Sequence, residues 1–405
     1  MNINMNEKVL NVTDNVKWIG ILDFDIVTFD IVMETKYGTT YNSYFIDAEK
    51  KAIVETVKEK FASEYIEKIK SVVNASEIEY IILDHTEPDH SGSLGKLLEI
   101  APNATVVGSG NAIRYLQDMF PVNFKHLIVK DGDELNLGNK TLKFIAAPNL
   151  HWPDSIYTYL VEDKVLFTCD SFGAHFCKEE MFDDLVGDYY DAFKYYFDVI
   201  LKPYSKFMLK AIEKIRPLEI NVIATGHGPI LRTRHQEIIN LTEKLSKEYV
   251  LLSEHQNKKV LITYVSAYGY TGEMANAIAE GIKLSGNVDV EVMDIEKIDL
   301  GELDSKLVLS DAILIGSPTI NQNTLLPIYK LFALINPIRD RSKLAGAFGS
   351  FGWSGGATEI INANLKSLKL NVVEDVPAMK FRANQEQKNQ LIEFGKSFAA
   401  KLVNN

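Results

Sequence analysis

The chain has 405 residues, enough for two or three domains with real cores, and 46% hydrophobic with 24% charged residues is an ordinary globular balance, not that of a disordered, collagen-like or coiled-coil chain. Lys and Arg number 43 against 55 Asp and Glu, a net charge of −12, which offers no electrostatic footprint for nucleic acid. No apolar run approaches the ~20 residues of a membrane span, residues 1–8 are unlike a signal peptide, and two cysteines, Cys169 and Cys177, exclude a disulfide framework and a four-thiolate metal site, so the expectation is a cytosolic protein without nucleic-acid or membrane partners.

Strands are predicted at 17–27, 39–46, 78–83, 142–146 and 156–161 from β-branched and aromatic content, with helical patterns at 57–72 and 194–215. Strands in runs with helices between them suggest layered sheets covered by helices. The stretch 244–259 is rich in charge and amide, and an apolar run follows at once, which places a domain boundary near residue 255 and divides the chain into 1–254 and 255–405. Beyond it the pattern alternates more regularly. A strand at 260–265 precedes a helix face of Met274, Ile278 and Ile282; Val288, Val290 and Val292 alternate as a strand; 312–315 and 345–348 are buried strands; a helix at 389–402 closes the chain. Strand–helix alternation of this kind predicts an α/β doubly wound parallel sheet, with ligands at the carboxyl ends of its strands.

The first part carries a cluster of metal-binding residue types. Asp84-His85-Thr86-Glu87-Pro88-Asp89-His90-Ser91-Gly92 follows an apolar strand, and Pro88 predicts a loop there. His151, in Pro148-Asn149-Leu150-His151-Trp152-Pro153-Asp154, Asp170, after Val165-Leu166-Phe167-Thr168-Cys169, and His227, in Thr225-Gly226-His227-Gly228-Pro229, also lie just past apolar strands. Four imidazoles (His85, His90, His151, His227) and three carboxylates (Glu87, Asp89, Asp170) are too many for one tetrahedral site. They suit two metals sharing a carboxylate, and mixed imidazole and carboxylate ligation fits iron, zinc or manganese. His126, His235 and His255 read as surface residues.

The second part carries three strand-end loops: Ser266-Ala267-Tyr268-Gly269-Tyr270-Thr271, Gly316-Ser317-Pro318-Thr319-Ile320-Asn321 and Gly349-Ser350-Phe351-Gly352-Trp353-Ser354-Gly355-Gly356. Hydroxyls, a glycine and a helix N-terminus in the first suit a terminal phosphate. The glycines of the others let backbone approach a flat ring, and Trp353 offers a stacking face. With neither a P-loop lysine nor Gly-x-Gly-x-x-Gly, neither ATP nor a dinucleotide is indicated.

Together these motifs resemble the flavodiiron proteins, in both halves and in the family order. The resemblance implies a metallo-β-lactamase-like αββα sandwich followed by a flavodoxin-like domain that binds FMN. It implies that His85, Glu87 and His151 hold one iron, that Asp89, His90 and His227 hold the other, and that Asp170 bridges them, with the His90 position not ligating in some members. Hydrolases of the same fold carry His-x-His-x-Asp-His for zinc; Glu87 stands where their second histidine would be, and a harder, more anionic ligand favours iron. His175 resembles a family position near the metals, Tyr195 is a candidate for the substrate pocket, and Asp30 stands where many members have a histidine. The activity implied is reduction of dioxygen to water, of nitric oxide to nitrous oxide, or both, in a head-to-tail homodimer or a dimer of dimers. No four-cysteine site and no space for an NADH-oxidising module are evident, so electrons are expected from an outside donor, rubredoxin or a reduced deazaflavin coenzyme. Beside this stand two other readings, a zinc hydrolase with an appended flavodoxin domain and a flavin electron carrier with a vestigial metal site.

Overall fold

Alternation along the strands of the first half sorts side chains into two cores. Tyr44 and Ile46 of the strand Tyr44–Ile46, Ala52 and Val54 of Lys51–Val54 and Ile82 of Ile78–Ile82 fall in one core, while Phe45, Ile53 and Ile81 fall in the other. The computed structural model describes residues 8–29, 33–253, 257–298, 300–337, 339–341 and 343–404, and the chain divides into two units, Met1–Val250 and Leu251–Asn405.

The first unit holds two large sheets. One has the strand order Leu10–Asn11, Val16–Trp18, Tyr44–Ile46, Lys51–Val54, Ile78–Ile82, Thr105–Gly108, Lys125–Ile128, antiparallel as far as Lys51–Val54 and parallel beyond it. The other has the order Glu134–Asn136, Thr141–Ala146, Ile156–Leu160, Val165–Cys169, Val222–Thr225, with only its last pair parallel. Tyr44, Val54 and Ile82 share a core with Phe144, Leu160, Phe167 and Ala224, so the sheets pack face to face. The outward residues join a second core with helices: Ile53, Ile81 and Val106 with Tyr65, Ile69 and Leu97, and Ile145, Leu166 and Ile223 with Met208, Ile212 and Ile215. This is the αββα sandwich expected from the resemblance.

Several elements differ from the predicted ones. The strand at 17–27 is two strands, Val16–Trp18 and Ile21–Asp23, parted at Gly20, where a Cβ would lie 2.3 Å from the Tyr41 carbonyl oxygen. The strand at 39–46 is likewise split into Thr39–Tyr41 and Tyr44–Ile46. The helix at 194–215 starts earlier, as Tyr190–Tyr196, widens over Phe197–Leu201, tightens over Lys202–Tyr204 and resumes as Ser205–Ile215, with Pro203 unable to supply an N–H to a continuous ladder. His126 is exposed, but His235 is half-buried at the head of the helix His235–Ser253, which corrects its reading as a surface residue. His255 and Asp30 lie outside the described residues.

The second unit is a parallel sheet with the order Val288–Asp294, Lys258–Tyr264, Ala312–Gly316, Leu344–Phe351; Asn371–Val372 and Ala378–Lys380 both pair with Leu344–Phe351. Each face is covered. Ile262 and Leu314 pack with Met274, Ile278 and Phe398, whereas Leu261 and Ile313 pack with Leu303, Leu331 and Ile361. The chain order along the sheet is that of a flavodoxin-like doubly wound fold. The closing helix runs Gln385–Val403, starting earlier than predicted because Asn384 and Gln387 form a capping box. Among the described residues no helix is long and apolar enough to cross a membrane.

Candidate metal centre and flavin site

The seven candidate ligands reach one edge of the sandwich from the ends of four strands. His85, Glu87, Asp89 and His90 follow Ile78–Ile82, His151 follows Thr141–Ala146, Asp170 follows Val165–Cys169 and His227 follows Val222–Thr225. The segment around Pro88 is a short helix, Pro88–Ser91, not the loop predicted. Proline sits at its first position, where the missing N–H has no partner to lose. The turn places Asp89 and His90 at adjacent helical positions, and both are buried. Gly226 permits the close approach of His227 to this helix, since a Cβ there would stand 2.8 Å from the His90 ring and 2.9 Å from the Cys169 backbone.

The side chains form two groups around one carboxylate. Glu87 Oε2 lies 3.2 Å from His85 Nε2 and 3.0 Å from His151 Nε2, and Asp170 Oδ2 lies 3.6 and 3.5 Å from the same two nitrogens. Asp89 Oδ2 lies 3.1 Å from His227 Nε2 and 3.4 Å from His90 Nε2, and Asp170 Oδ1 lies 3.5 and 3.2 Å from those two. Asp170 thus turns one oxygen to each group. Both oxygens of Asp89 and Oδ2 of Asp170 are buried without a hydrogen-bond donor. Buried anionic oxygens in that condition are costly unless a cation meets them, so this donor set fits a pair of metal ions.

The surroundings orient the imidazoles. His227 Nδ1 lies 2.6 Å from the Thr40 carbonyl oxygen, so it donates there and leaves Nε2 free to ligate. His85 Nδ1 lies 3.2 Å from Asp154 Oδ2, which also accepts from the Thr86 amide and hydroxyl, each at 2.8 Å. Burial opposes charge throughout, yet the Asp170 carboxyl is held well below the usual carboxylate range by His90, His85 and His151. Burial would lower His85, but Asp154, Glu87 and Asp170 raise it well above the usual histidine value. The cluster therefore keeps Asp170 ionised with a proton on His85 as counter-charge, a proton that a metal ion would displace on binding.

His175 stands beside this centre. Its ring stacks on Phe29 at 4.5 Å between centroids and lies 5.2 Å from the His227 ring; Nδ1 is 2.9 Å from the Thr39 hydroxyl, and Nε2 is buried with no partner. Burial holds its pKa well below the usual value, so this imidazole is neutral. Tyr195 is exposed on its helix, whereas the buried Tyr196 donates through its hydroxyl to Asp170 Oδ1 at 3.1 Å. The tyrosine that meets the centre is thus the neighbour of the one predicted; two adjacent tyrosines on a helix point about 100° apart, and the sequence alone leaves open which faces inward.

In the second unit the three predicted loops converge at the carboxyl ends of adjacent strands. The first leads from Lys258–Tyr264 into the helix Tyr270–Leu284, with Gly269 at φ 85° just before it and nothing within 4 Å of where its Cβ would stand. Thr271 and Ser350 hydroxyls lie 3.0 Å apart, and the Thr319 amide donates to the Ser350 carbonyl at 2.8 Å, so the loops are tied together. Above these links Tyr268 and Trp353 are 81% and 92% exposed. An open glycine at a helix N-terminus beside bare aromatic faces fits a phosphate joined to a flat ring system.

Known proteins match in both halves. Residues 39–228 match the ODP family beta lactamase model and residues 262–395 match the flavodoxin model. The chain is 41% identical to flavo-diiron protein FprA2 of Clostridium acetobutylicum over 97% of its own length and 99% of that protein's. It is 34% identical to a nitric oxide reductase of Moorella thermoacetica, over 97% and 98% of the two chains. Its fold matches rubredoxin oxygen:oxidoreductase of Desulfovibrio gigas with a TM-score of 0.68 and 28% identity, covering 98% of this chain and 99% of that one. With 41% identity to FprA2 over nearly the whole of both chains, and with a beta-lactamase-family half followed by a flavodoxin half, the chain belongs to the flavo-diiron protein family.

Proposed function

We propose that this protein reduces dioxygen to water, nitric oxide to nitrous oxide, or both, at a non-haem diiron centre, with FMN relaying electrons from an external donor. The observation that carries the reading is Asp170, whose two oxygens face two separate imidazole–carboxylate groups at 3.2–3.6 Å. His85, Glu87 and His151 would hold one iron, Asp89, His90 and His227 the other, and Asp170 would bridge them. The loops at 266–271, 318–321 and 350–355 would hold FMN. When bound, two ferrous ions supply two electrons and open positions for a diatomic molecule, and reduced FMN supplies two more.

The chain's own residues set the conditions. Phe29, His175 and Tyr196 wall the centre with buried rings that limit water. The Tyr196 hydroxyl holds a proton on Asp170 Oδ1, and burial beside Asp170 raises that phenol well above its usual pKa, so it stays protonated. A donor outside the chain is supported by the two cysteines, both buried and unpaired, which cannot make a rubredoxin-type centre. Rubredoxin or a reduced deazaflavin coenzyme would serve. We further propose that FMN of one chain serves the iron of another in a head-to-tail homodimer; mixed dimers of an iron-dead and a flavin-dead variant should then regain activity, and inactive mixed dimers would refute it.

The test is anaerobic stopped-flow of the reduced protein against each gas. Expected are two irons and one FMN per chain, rapid reoxidation by at least one gas without release of peroxide, and slow turnover with NADH alone. Full zinc occupancy with no reaction towards either gas would return the hydrolase reading, and fast NADH-driven turnover by the pure chain would refute an external donor.

A further inference from the structure

We infer that Asn42 is a positioning residue whose side chain ties both ends of the 225–228 loop and so holds His227 in place for the metal it would share with Asp89 and His90, an inference that rests on the diiron reading above. Asn42 lies in the step where the chain leaves the strand Thr39–Tyr41, paired with Ile21–Asp23, and enters Tyr44–Ile46 of the seven-stranded sheet. It is completely buried, as are Trp18 and Thr225 beside it. A buried primary amide is costly unless its oxygen and both N–H groups find partners, and here all of them do.

Trp18 Nε1 donates to Asn42 Oδ1 at 2.9 Å. An indole nitrogen can only donate, so this bond fixes which end of the amide is oxygen and turns the NH₂ towards the loop. That NH₂ donates to the Thr225 carbonyl at 2.9 Å and to the Gly228 carbonyl at 3.1 Å, one on each side of His227. The Asn42 backbone amide donates to the Gly226 carbonyl between them, at 2.9 Å. Asn42 thus serves the carbonyls of Thr225, Gly226 and Gly228, and that of His227 accepts from the Ala174 amide at 3.3 Å. Gly20 makes the approach possible, since a Cβ there would stand 2.7 Å from Trp18 Nε1 and 2.9 Å from Asn42 Cα.

The loop needs such a tie because the pairing of Val165–Cys169 with Val222–Thr225 stops at Thr225, and no ladder orders the carbonyls beyond it. Its turn is also tight: Gly228 has φ 74°, and a Cβ there would lie 2.4 Å from the Ala174 carbonyl oxygen. Thr40 directs the end of the loop and the ring, through the Gly228 amide on its hydroxyl at 2.8 Å and His227 Nδ1 at 2.6 Å from its carbonyl oxygen. Asn42 sets where the backbone carries that ring, and with it the 3.1 Å between His227 Nε2 and Asp89 Oδ2. The competing candidate is Tyr44, whose hydroxyl also donates to the Thr225 carbonyl, at 2.7 Å. Its bond reaches the Thr225 end alone, whereas the Asn42 amide spans the histidine.

Asn42→Asp keeps the shape and the acceptor for Trp18 but puts an oxygen where the NH₂ meets the Thr225 and Gly228 carbonyls. Tyr44→Phe removes a bond from the same Thr225 carbonyl and leaves the span across His227 intact. In Asn42→Asp we expect FMN content unchanged, one iron retained, and the iron held through His227 bound ~10–100-fold more weakly; Tyr44→Phe should keep both irons. In the metal-free proteins, amide hydrogen exchange over 225–228 should be faster in Asn42→Asp than in the wild type, with exchange over 84–91 unchanged. A reading that needs no variant is the exchange of the Asn42 side-chain NH₂ in the metal-free wild-type protein, followed by NMR with ¹⁵N-labelled asparagine: it should be slow, because the tie is made before metal arrives. Two irons held as tightly in Asn42→Asp as in the wild type, equal loss of iron in Tyr44→Phe, or a rapidly exchanging Asn42 NH₂ would each overturn the inference. A wild-type chain that binds no iron pair would instead overturn the diiron reading itself.

Discussion

The two candidate sites sit at strand ends, yet they are built in opposite ways. In the first unit most of the site is enclosed: Asp170 is 2% exposed and His85 is completely buried, with only Glu87 and His151 partly open among the candidate ligands. In the second unit the aromatic faces offered to the ligand are bare, with Trp353 92% exposed, above buried hydroxyls such as those of Thr271 and Ser350. The physical reason is the charge of what each must hold. The imidazoles that would meet a cation are fixed from behind, His227 by the Thr40 carbonyl and His85 by Asp154, which Thr86 holds in turn, while the buried Asp89 oxygens are left for the cation itself. A flat, largely apolar ring needs open faces and backbone amides, which loops supply without burying charge. The first site is therefore a rigid network in which single changes propagate, and the second is a set of loops completed by what binds them.

The sharpest way to break this contrast is Asp170→Asn. The amide keeps the shape but loses the anion and presents an N–H donor towards the imidazoles proposed as metal ligands. Iron content should fall, and turnover should drop by more than the ~10–100-fold typical of residues behind the ligands, while the FMN content of the other unit stays unchanged. Metal and flavin analysis on the same sample checks both halves of the statement. A variant with two irons and full activity would remove Asp170 from the centre of the argument.

The same contrast explains what was legible in the sequence. Each metal-binding residue type directly follows an apolar strand, so Asp170 after Val165–Cys169 and His227 after Val222–Thr225 stand out on their own. The candidate flavin loops were visible for the same reason, as glycine and hydroxyl runs past buried strands. What stayed hidden depends on direction and not on residue type. Asn42 is an unremarked asparagine until the fold turns its amide towards both ends of the His227 loop. Tyr195 and Tyr196 are indistinguishable until the helix phase is known. Pro88 reads as a breaker, yet at the first helical position it does no harm. The broken helix before Ser205–Ile215 was masked by a continuous apolar pattern across Pro203.

A smaller effect, on stability, follows from a buried cation in the first unit. Lys68 is 3% exposed, its ammonium donates to the Gly20 carbonyl at 2.5 Å and lies 4.5 Å from the Trp18 ring centre. Burial, only partly countered by Glu64, lowers its pKa to about 7 from the ordinary 10.5. Because the folded pKa is the lower one, the unfolded chain binds more protons between those values, and this residue makes stability rise with pH across that window. Its penalty is complete below about pH 7 and gone above about 10.5. Lys68→Met removes the titration but leaves the Gly20 carbonyl without this donor. Urea unfolding at pH 6, 7.5 and 9 should therefore show a stability difference, mutant minus wild type, that becomes less favourable to the mutant as pH rises. A difference independent of pH would mean that Lys68 titrates normally and that the first unit does not strain to hold this charge.

The smallest expected change tests the exposed side of the contrast. Trp353 packs on almost nothing in its own unit, so Trp353→Ala should leave the unfolding temperature of the flavin-free protein unchanged within error. Its proposed task is stacking, and aromatic pairing contributes about 0.5–1.5 kcal/mol beyond simple burial, a weakening of roughly 2- to 12-fold in FMN affinity. Flavin fluorescence should change as well, since a stacked indole quenches the ring. Titration of apoprotein with FMN reads both quantities. Phosphate recognition is proposed for the Gly269 turn and the helix Tyr270–Leu284 behind it, so the variant should still discriminate FMN from riboflavin as the wild type does. Loss of that discrimination, or a fall in the stability of the flavin-free unit, would mean that Trp353 shapes the loops themselves and that the second site is as interlocked as the first.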